Sequence, residues 1–402
     1  MKTLPALGDL KGAIISSLEN PIGLPPLREL VNDREKILFL VEDATRATPL
    51  DVIMPVVVNY LNSCDVPDGK MSFLTAPGTH RLMTDGEIEA KLGREITSRF
   101  NIFQHDAAAA DELADMGTVM AGDYPVPVRV NKKVLEADFV FGLGNIVPHS
   151  DAGFSGGAKI LQPGVCGFAT TGAIHAASAF CPDIPLGMPE NPCRAGMDAV
   201  AAKAGLSFIL NVVKNFDGEV CGVFAGDFVH AHRKGVEMAV ESFKVPMPRR
   251  ADVVVVSSYP ADIDYWQAEK GISAAYFAVR EGGIIILAAP CAEGLATNHP
   301  RFREWLAMPL DEVRENIKKY APDDEEADLV SAVVAACNCR ARDRADIFSV
   351  TDGLCAEDIK ALRYTPFDSV QAALGEALRR IPNAAIGILP QGGVSLPVLE
   401  KI

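Results

Sequence analysis

Short apolar runs, most of them followed by a stretch long enough for a helix, recur along almost the whole of this 402-residue chain. In the first half they are Ile37-Leu-Phe-Leu-Val41, Met71-Ser-Phe-Leu-Thr75 and Ala137-Asp-Phe-Val-Phe-Gly142. In the second they are Asp252–Ser257, Gly283–Leu287, Asp346–Val350 and Ala384–Leu389. Pro49 opens a predicted helix to about Asn62, and further helices are predicted over 85–92, 269–281, 311–320, 325–337 and 368–379. Strands alternating with helices bury a sheet between helical layers, so the chain is predicted to be α/β. Its length exceeds one ordinary core, and the polar stretch Val245-Pro-Met-Pro-Arg-Arg250 separates two such patterns. Two α/β domains, 1–245 and 250–402, with a site in the cleft between them, are the predicted architecture.

A formal charge of −15 leaves no excess of Lys and Arg to neutralise nucleic-acid phosphates, though one pocket can still be locally basic. No apolar run reaches membrane-spanning length, and Met1-Lys-Thr-Leu-Pro5 lacks the tract of a signal peptide. The nine cysteines are scattered, odd in number and without a CxxC pair, so reduced thiols and a cytoplasmic location are expected.

Three polar constellations each follow a predicted strand. They are Asp43-Ala-Thr45-Arg46, Gly78-Thr-His80-Arg81, and the run His149-Ser-Asp-Ala-Gly-Phe-Ser-Gly-Gly-Ala-Lys159 that leads on to His175. Ligands of open α/β sheets bind beyond the carboxyl ends of strands, so the three read as one site. The third run gathers a glycine-rich turn, a lysine and two of the chain's seven histidines within 27 residues. Such a turn brings backbone close to a ligand, the lysine binds phosphate or forms a covalent bond, and histidines move protons or hold a metal. Arg46 offers a planar fork suited to carboxylate or phosphate, although the Asp43–Arg46 loop alone reads equally as a helix cap with a surface arginine.

Other motifs carry less. The Gly-Gly-Ala-Lys159 turn lacks the P-loop spacing, and Gly142-Leu-Gly144 lacks the third glycine of a dinucleotide fingerprint. His230 and His232 stand two apart in an expected helix, where they diverge rather than share a metal. His105 and His299 have no supporting neighbours and are read as surface or structural. Gln267 and Lys270, three apart, share a helix face that binds a carboxylate or is simply solvated.

In order and over most of the chain, these residues resemble the nickel-dependent lactate racemases and their 2-hydroxyacid racemase and epimerase relatives. The likeness rests on Asp43-x-Thr-Arg-x-Thr-Pro49, Gly78-Thr-His-Arg81, Pro148-His-x-x-Ala-Gly-Phe-Ser-Gly-Gly-Ala-Lys159, His175 and Gln267-Ala-x-Lys-Gly271. The long third motif is the most specific. The resemblance implies a nickel-pincer nucleotide, a pyridinium mononucleotide whose ring carbon and two sulfurs hold Ni(II). Lys159 matches the lysine that attaches it as a thioamide, and His175 the histidine that completes the tetragonal ligand set. His80 and His149 match the alternating acid and base. Arg46, Gln267 and Lys270 match residues that hold the substrate carboxylate, Trp266 beside them is expected to be substrate-binding too, and Asp43 and Thr45 are expected to be cofactor-binding.

The implied chemistry is hydride removal from Cα of a 2-hydroxy acid, rotation of the planar 2-oxoacid, and hydride return to the other face. This avoids a carbanion beside a carboxylate, and it needs a base on each side because the enantiomers present mirror-related hydroxyls. The enzymes that synthesise the cofactor are implied partners. The chain departs from the lactate enzymes where Trp266 replaces a tyrosine, and no tryptophan follows Trp305. Substrate identity among 2-hydroxy acids is therefore left open. Two other readings also stay open: a net 2-hydroxyacid oxidoreductase on the same bound cofactor, and a non-catalytic hydroxy-acid or cofactor-binding homologue. A pair of opposed histidines speaks against the last, since a binder needs no bases.

Overall fold

Val253, Val254 and Val256 have no exposed surface, and the whole of Ile37–Val41 is buried as well. Strands that are apolar on both faces need cover on both faces, which parallel sheets with flanking helices supply. The computed structural model, which describes residues 3–321 and 324–400, has two such sheets. The first orders its strands Val220–Gly226, Leu206–Lys214, Phe139–Asn145, Ile37–Val41, Met71–Thr75 and Ile102–Gln104. All pairs are parallel except the edge pair of Val220–Gly226 with Leu206–Lys214. The second is wholly parallel, in the order Thr365–Pro366, Ala345–Val350, Val279–Ala288, Ala251–Ser257 and Ile386–Leu389. The α/β, two-domain expectation holds.

Central strands fall where the apolar runs predict, with Ile37–Val41 and Met71–Thr75 matched at both ends. Other boundaries move for identifiable reasons. The strand predicted at 137–142 runs over Phe139–Asn145, because Gly144 and Asn145 continue pairing with Asn211 and Val212. The helix predicted at 269–281 is Tyr265–Ala278: Asp264 caps it by accepting from the Gln267 backbone N–H at 2.8 Å. Its end at Ala278 frees Val279 to begin a strand longer than predicted.

Two alanine-rich helices, Phe168–Ala179 and Leu329–Arg344, pack against one another where the domains meet. Small side chains allow the close approach; a Cβ added at Gly172 would lie 3.1 Å from Cβ of Leu329. One apolar cluster runs from Ile146, Phe154 and Ala176 into Val254, Tyr265, Ala332 and Ala336 and so joins the two halves, beside further clusters on each sheet. The polar stretch near 245 is itself a strand, Lys244–Met247, paired in parallel with Leu396–Leu399. All nine cysteines are free, and Cys337 and Cys339 point to different partners, Asp151 and the Met308 carbonyl. Among the described residues, no helix is long and apolar enough to cross a membrane.

Candidate active site

Three loops that leave the carboxyl ends of adjacent strands line one cavity of about 900 Å³ with the N-terminal turns of the Tyr265–Ala278 helix. Asp43, Arg46, His80, His149, Lys159, His175, Trp266, Gln267 and Lys270 all line it. Thr45 lines an adjoining chamber, whose wall also includes His80 and Gln267.

The loops are held partly by groups that sequence reasoning did not single out, Lys91, Glu42 and Arg194 among them. Lys91, from the Asp85–Leu92 helix, donates to the carbonyls of Arg46 at 2.5 Å and Thr48 at 3.1 Å. Glu42 accepts from Thr48 and from the Asn145 backbone N–H, tying the first loop to the third. Gly78 adopts φ +65° and donates to the Gly164 carbonyl at 3.0 Å, which seats Thr79 and His80 against the Pro163–Gly164 turn. At Gly157, φ is +62° and an added Cβ would meet His232 at 2.8 Å, so this turn requires glycine on both counts. Fully buried Arg194 donates to the carbonyls of Ala152, Phe154 and Gly156 and so gathers the glycine-rich run from behind. His232 has the same supporting part, bonding the Ser155 carbonyl at 2.9 Å, while His230 is exposed. The two do not meet as a metal pair, as expected.

Hydrogen-bond partners fix the proton positions of the two candidate acid–base histidines. His80 Nδ1 lies 2.7 Å from Asp43 Oδ2, and a carboxylate only accepts, so Nδ1 carries the proton. Its Nε2 faces the Gln267 amide nitrogen at 3.1 Å and accepts. The Gln267 orientation is set in turn by Oε1, which accepts from Arg46 at 3.3 Å and from Lys270. Burial pushes the Asp43 carboxyl up, but the charge and hydrogen bond of His80, with Arg46 and Thr45, overcome this and hold it well below the usual carboxylate range. His149 is arranged the other way round. Its Nδ1 accepts from the backbone N–H groups of Asp151 at 3.1 Å and Ala152 at 3.5 Å, so the neutral ring carries its proton on Nε2. Burial, then Lys159, Lys270 and Arg46, push His149 well below the usual imidazole range.

Lys159 forms no side-chain hydrogen bond or ion pair among the described residues. Burial, reinforced by Arg46, lowers its ammonium to about 7. A lysine so placed is an available nucleophile near neutral pH. His175 donates from Nδ1 to the Thr171 carbonyl at 2.7 Å, which leaves Nε2 with its lone pair for a ligand in the cavity it lines. Buried Thr171 also lines the cavity, with its hydroxyl unpartnered. No group of three or more His, Cys, Asp or Glu is placed to hold a metal among the described residues. A metal here would take most of its ligands from a bound group, and attachment at Lys159 with one imidazole from His175 fits these residues.

Of the two alternatives left open for His299, surface or structural, the structure shows the second. This histidine is buried rather than on the surface, lies over the Trp266 ring, and faces Thr79 across the domain boundary at 3.3 Å. His105 is structural, fully buried with Nε2 on the Cys166 carbonyl at 3.0 Å. Arg81 faces the rim, where Glu87 and Glu293 both hold it.

The fold and the cleft define a two-domain α/β protein with a cationic, histidine-bearing site at the carboxyl ends of parallel strands. Residues 1–185 match the lactate racemase N-terminal domain and residues 247–398 the lactate racemase C-terminal domain. A lactate racemase of Thermoanaerobacterium thermosaccharolyticum is 32% identical over 392 residues, covering 96% of this chain and 89% of that protein. One of Lactiplantibacillus plantarum is 34% identical over 282 residues, 69% of this chain and 65% of its own. The apoprotein structure of the Thermoanaerobacterium thermosaccharolyticum lactate racemase superposes with a TM-score of 0.86 at 29% identity, covering 99% of this chain and 95% of that one. A Thermotoga maritima protein shares the fold, with a TM-score of 0.76 at 22% identity over 97% and 98% of the two chains. The chain belongs to the lactate racemase family.

Proposed function

We propose that this chain inverts the C2 stereocentre of a 2-hydroxy acid, as a racemase or epimerase carrying a nickel-pincer nucleotide on Lys159 with His175 as the protein's nickel ligand. The observation that carries the reading is the pair of imidazoles on one cavity with opposite proton arrangements, bare at Nε2 of His80 and protonated at Nε2 of His149. A hydroxyl held between them can lose its proton to one ring and, after inversion, regain one from the other ring in its imidazolium form, which is what inversion requires and simple binding does not.

Arg46 and Lys270 converge on the Gln267 carboxamide oxygen, and a substrate carboxylate takes the place of that acceptor. Anchoring the carboxylate with two fixed cations lets the rest of the molecule turn about it without leaving the site. His80, with Asp43 behind it, accepts the hydroxyl proton of one enantiomer at Nε2, and the Asp43 carboxylate balances the imidazolium that results. His149 serves the other enantiomer. When bound, the pincer nucleotide would supply the acceptor and donor for the Cα hydride. On this reading the substrate is a small 2-hydroxycarboxylate, the site of action is the cytoplasm, the cofactor-building enzymes are maturation partners, and neither nucleic acid nor membrane takes part. The domain division at 245–250 belongs to the same proposal.

The test is to co-produce the chain with the pincer-cofactor biosynthetic enzymes, then measure intact mass, nickel content and inversion of 2-hydroxyacid enantiomers by chiral chromatography. A mass increment mapping to Lys159, about one nickel per chain, and conversion of a pure enantiomer to a mixture without external oxidant are expected. Release of stoichiometric 2-oxoacid would favour the oxidoreductase instead. An unmodified Lys159, while a lactate racemase loads in the same host, would remove the cofactor assignment. His175→Ala should lose nickel, whereas His80→Ala and His149→Ala should keep nickel and lose inversion.

A further inference from the structure

The two histidines are backed by different groups. Behind His80 stands an ionised carboxylate in direct hydrogen-bond contact. Behind His149 stand two backbone N–H groups, and a donor cannot share a hydrogen bond with a second donor. A ring that picks up a proton at Nε2 while working as a base must hold its other proton on Nδ1. In the arrangement described, that proton would point at the N–H of Asp151. The same residue supplies a remedy: Asp151 Oδ2 lies 3.9 Å from His149 Nδ1, the one carboxylate oxygen within 4.0 Å of a nitrogen of this ring among the described residues.

We propose that Asp151 is a positioning residue for His149, its carboxylate taking the Nδ1 proton whenever His149 carries protons on both nitrogens. Its backbone N–H supports the neutral ring and its side chain supports the imidazolium. Each histidine thus has an aspartate, Asp43 in place and Asp151 one small movement away. This inference rests on the racemase reading above.

The surroundings agree. Asp151 is buried, and its Oδ1 accepts from Ser178 at 3.3 Å, which leaves Oδ2 for His149. Cys337, on the Leu329–Arg344 helix, approaches Oδ1 at 3.9 Å. The groups facing His149 are Lys159 from the glycine-rich turn, which burial lowers to about 7, Lys270 from the Tyr265–Ala278 helix, whose ammonium burial also lowers, and Arg46 from the first loop, with His175 beyond. Glu269, neighbouring Lys270, is lifted by burial to about 7, so it is a weak counter-charge near neutral pH. Asp151 is the group placed to offset a positive His149.

The test uses the full chain with 15N-labelled histidine, the His149 signals assigned through His149→Gln. In the wild-type protein near neutral pH, Nε2 of His149 is expected to be protonated and Nδ1 bare. On acidification the second proton should appear on Nδ1. Asp151→Asn, which keeps the shape and the backbone donor, should lower that midpoint by about one pH unit or more and leave His80 unmoved. Equal midpoints in the two proteins would overturn the proposal. If both rings stay neutral down to acid unfolding, the cofactor-loaded enzyme decides. There, Asp151→Asn should lower kcat at least about tenfold with KM within about twofold and nickel content unchanged, and an unaltered kcat would overturn it. Wild-type protein that loads nickel and inverts no 2-hydroxy acid would sink the racemase reading instead, leaving the link between Asp151 and His149 to the spectra.

Discussion

Trp266 and His299 lie face to face, their ring centroids 3.7 Å apart and their planes 1° from parallel. The His299 edge reaches Asp328 at 3.0 Å on one side and Thr79 at 3.3 Å on the other. Trp266 precedes Gln267, so the stack braces the helix end that presents the candidate carboxylate-binding residues. His299→Ala removes the ring contact and two polar contacts, and should lower unfolding free energy by about 2 kcal/mol. KM for the substrate should rise more than kcat falls. His299→Phe, which restores the stack alone, should recover part of the stability in urea unfolding.

Asp43→Asn tests the brace behind His80. The carboxylate fixes the Nδ1–H form of the ring and opposes the lowering of its pKa by burial. With a carboxamide there, the wrong nitrogen can hold the proton, and kcat should fall by about 10²–10⁴-fold. Circular dichroism should stay unchanged. The folded-state value of Asp43 lies below the ordinary 3.8, so its contribution to stability is complete above that pH and is lost only as pH falls further.

Lys159 should stand out chemically before any cofactor is attached. Its ammonium titrates near 7, so a large share is free amine at neutral pH, where exposed lysines are almost wholly protonated. A limiting dose of a small acylating reagent should modify Lys159 ahead of exposed lysines in peptide maps. The extent should rise through a midpoint near 7. Labelling that follows the profile of ordinary lysines would contradict this.

His105 makes a pH prediction independent of the site. Burial lowers its pKa to about 4 from 6.5, so the unfolded chain binds more protons between those values. Stability should therefore fall as pH drops from about 6.5 towards about 4, by up to roughly 3 kcal/mol from this residue. Glu269, with its pKa raised, works in the opposite direction below about 7. The comparison that isolates His105 is wild type against His105→Gln, whose urea midpoint should vary less with pH over this window.

Local chemistry made much of this legible. Ile37–Val41 is apolar throughout and Met71–Thr75 largely so, because their faces are covered, and the residues that follow them had to be loop at a strand end. His149, Lys159 and His175 could be picked out because they are grouped on one glycine-rich run, and His80 because it follows a strand-end glycine turn. Arg194 and Lys91 could not, nor could Asn211, whose Oδ1 accepts from the Gly157 backbone N–H at 2.7 Å. Each acts on backbone groups of a distant loop, and neither its neighbours nor its spacing records that. His299 was hidden for the same reason: its partners Trp266, Thr79 and Asp328 lie 33, 220 and 29 residues away. Asp151 was visible within a motif, but its relation to His149 depends on which ring nitrogen faces the backbone.

One apolar core continues from Ile146 and Ala176 into Ala332 and Ala336, so pulling the two halves apart would wet all of them. Coming and going is left to the rim, where Arg81 meets Glu293 at 3.2 Å and Asn298 meets the Thr79 carbonyl at 3.2 Å. Under the proposed function a small hydroxy acid exchanges past those side chains with the halves still joined, whereas any guest that needs the halves parted meets the cost of exposing Ile146, Ala176, Ala332 and Ala336 to water.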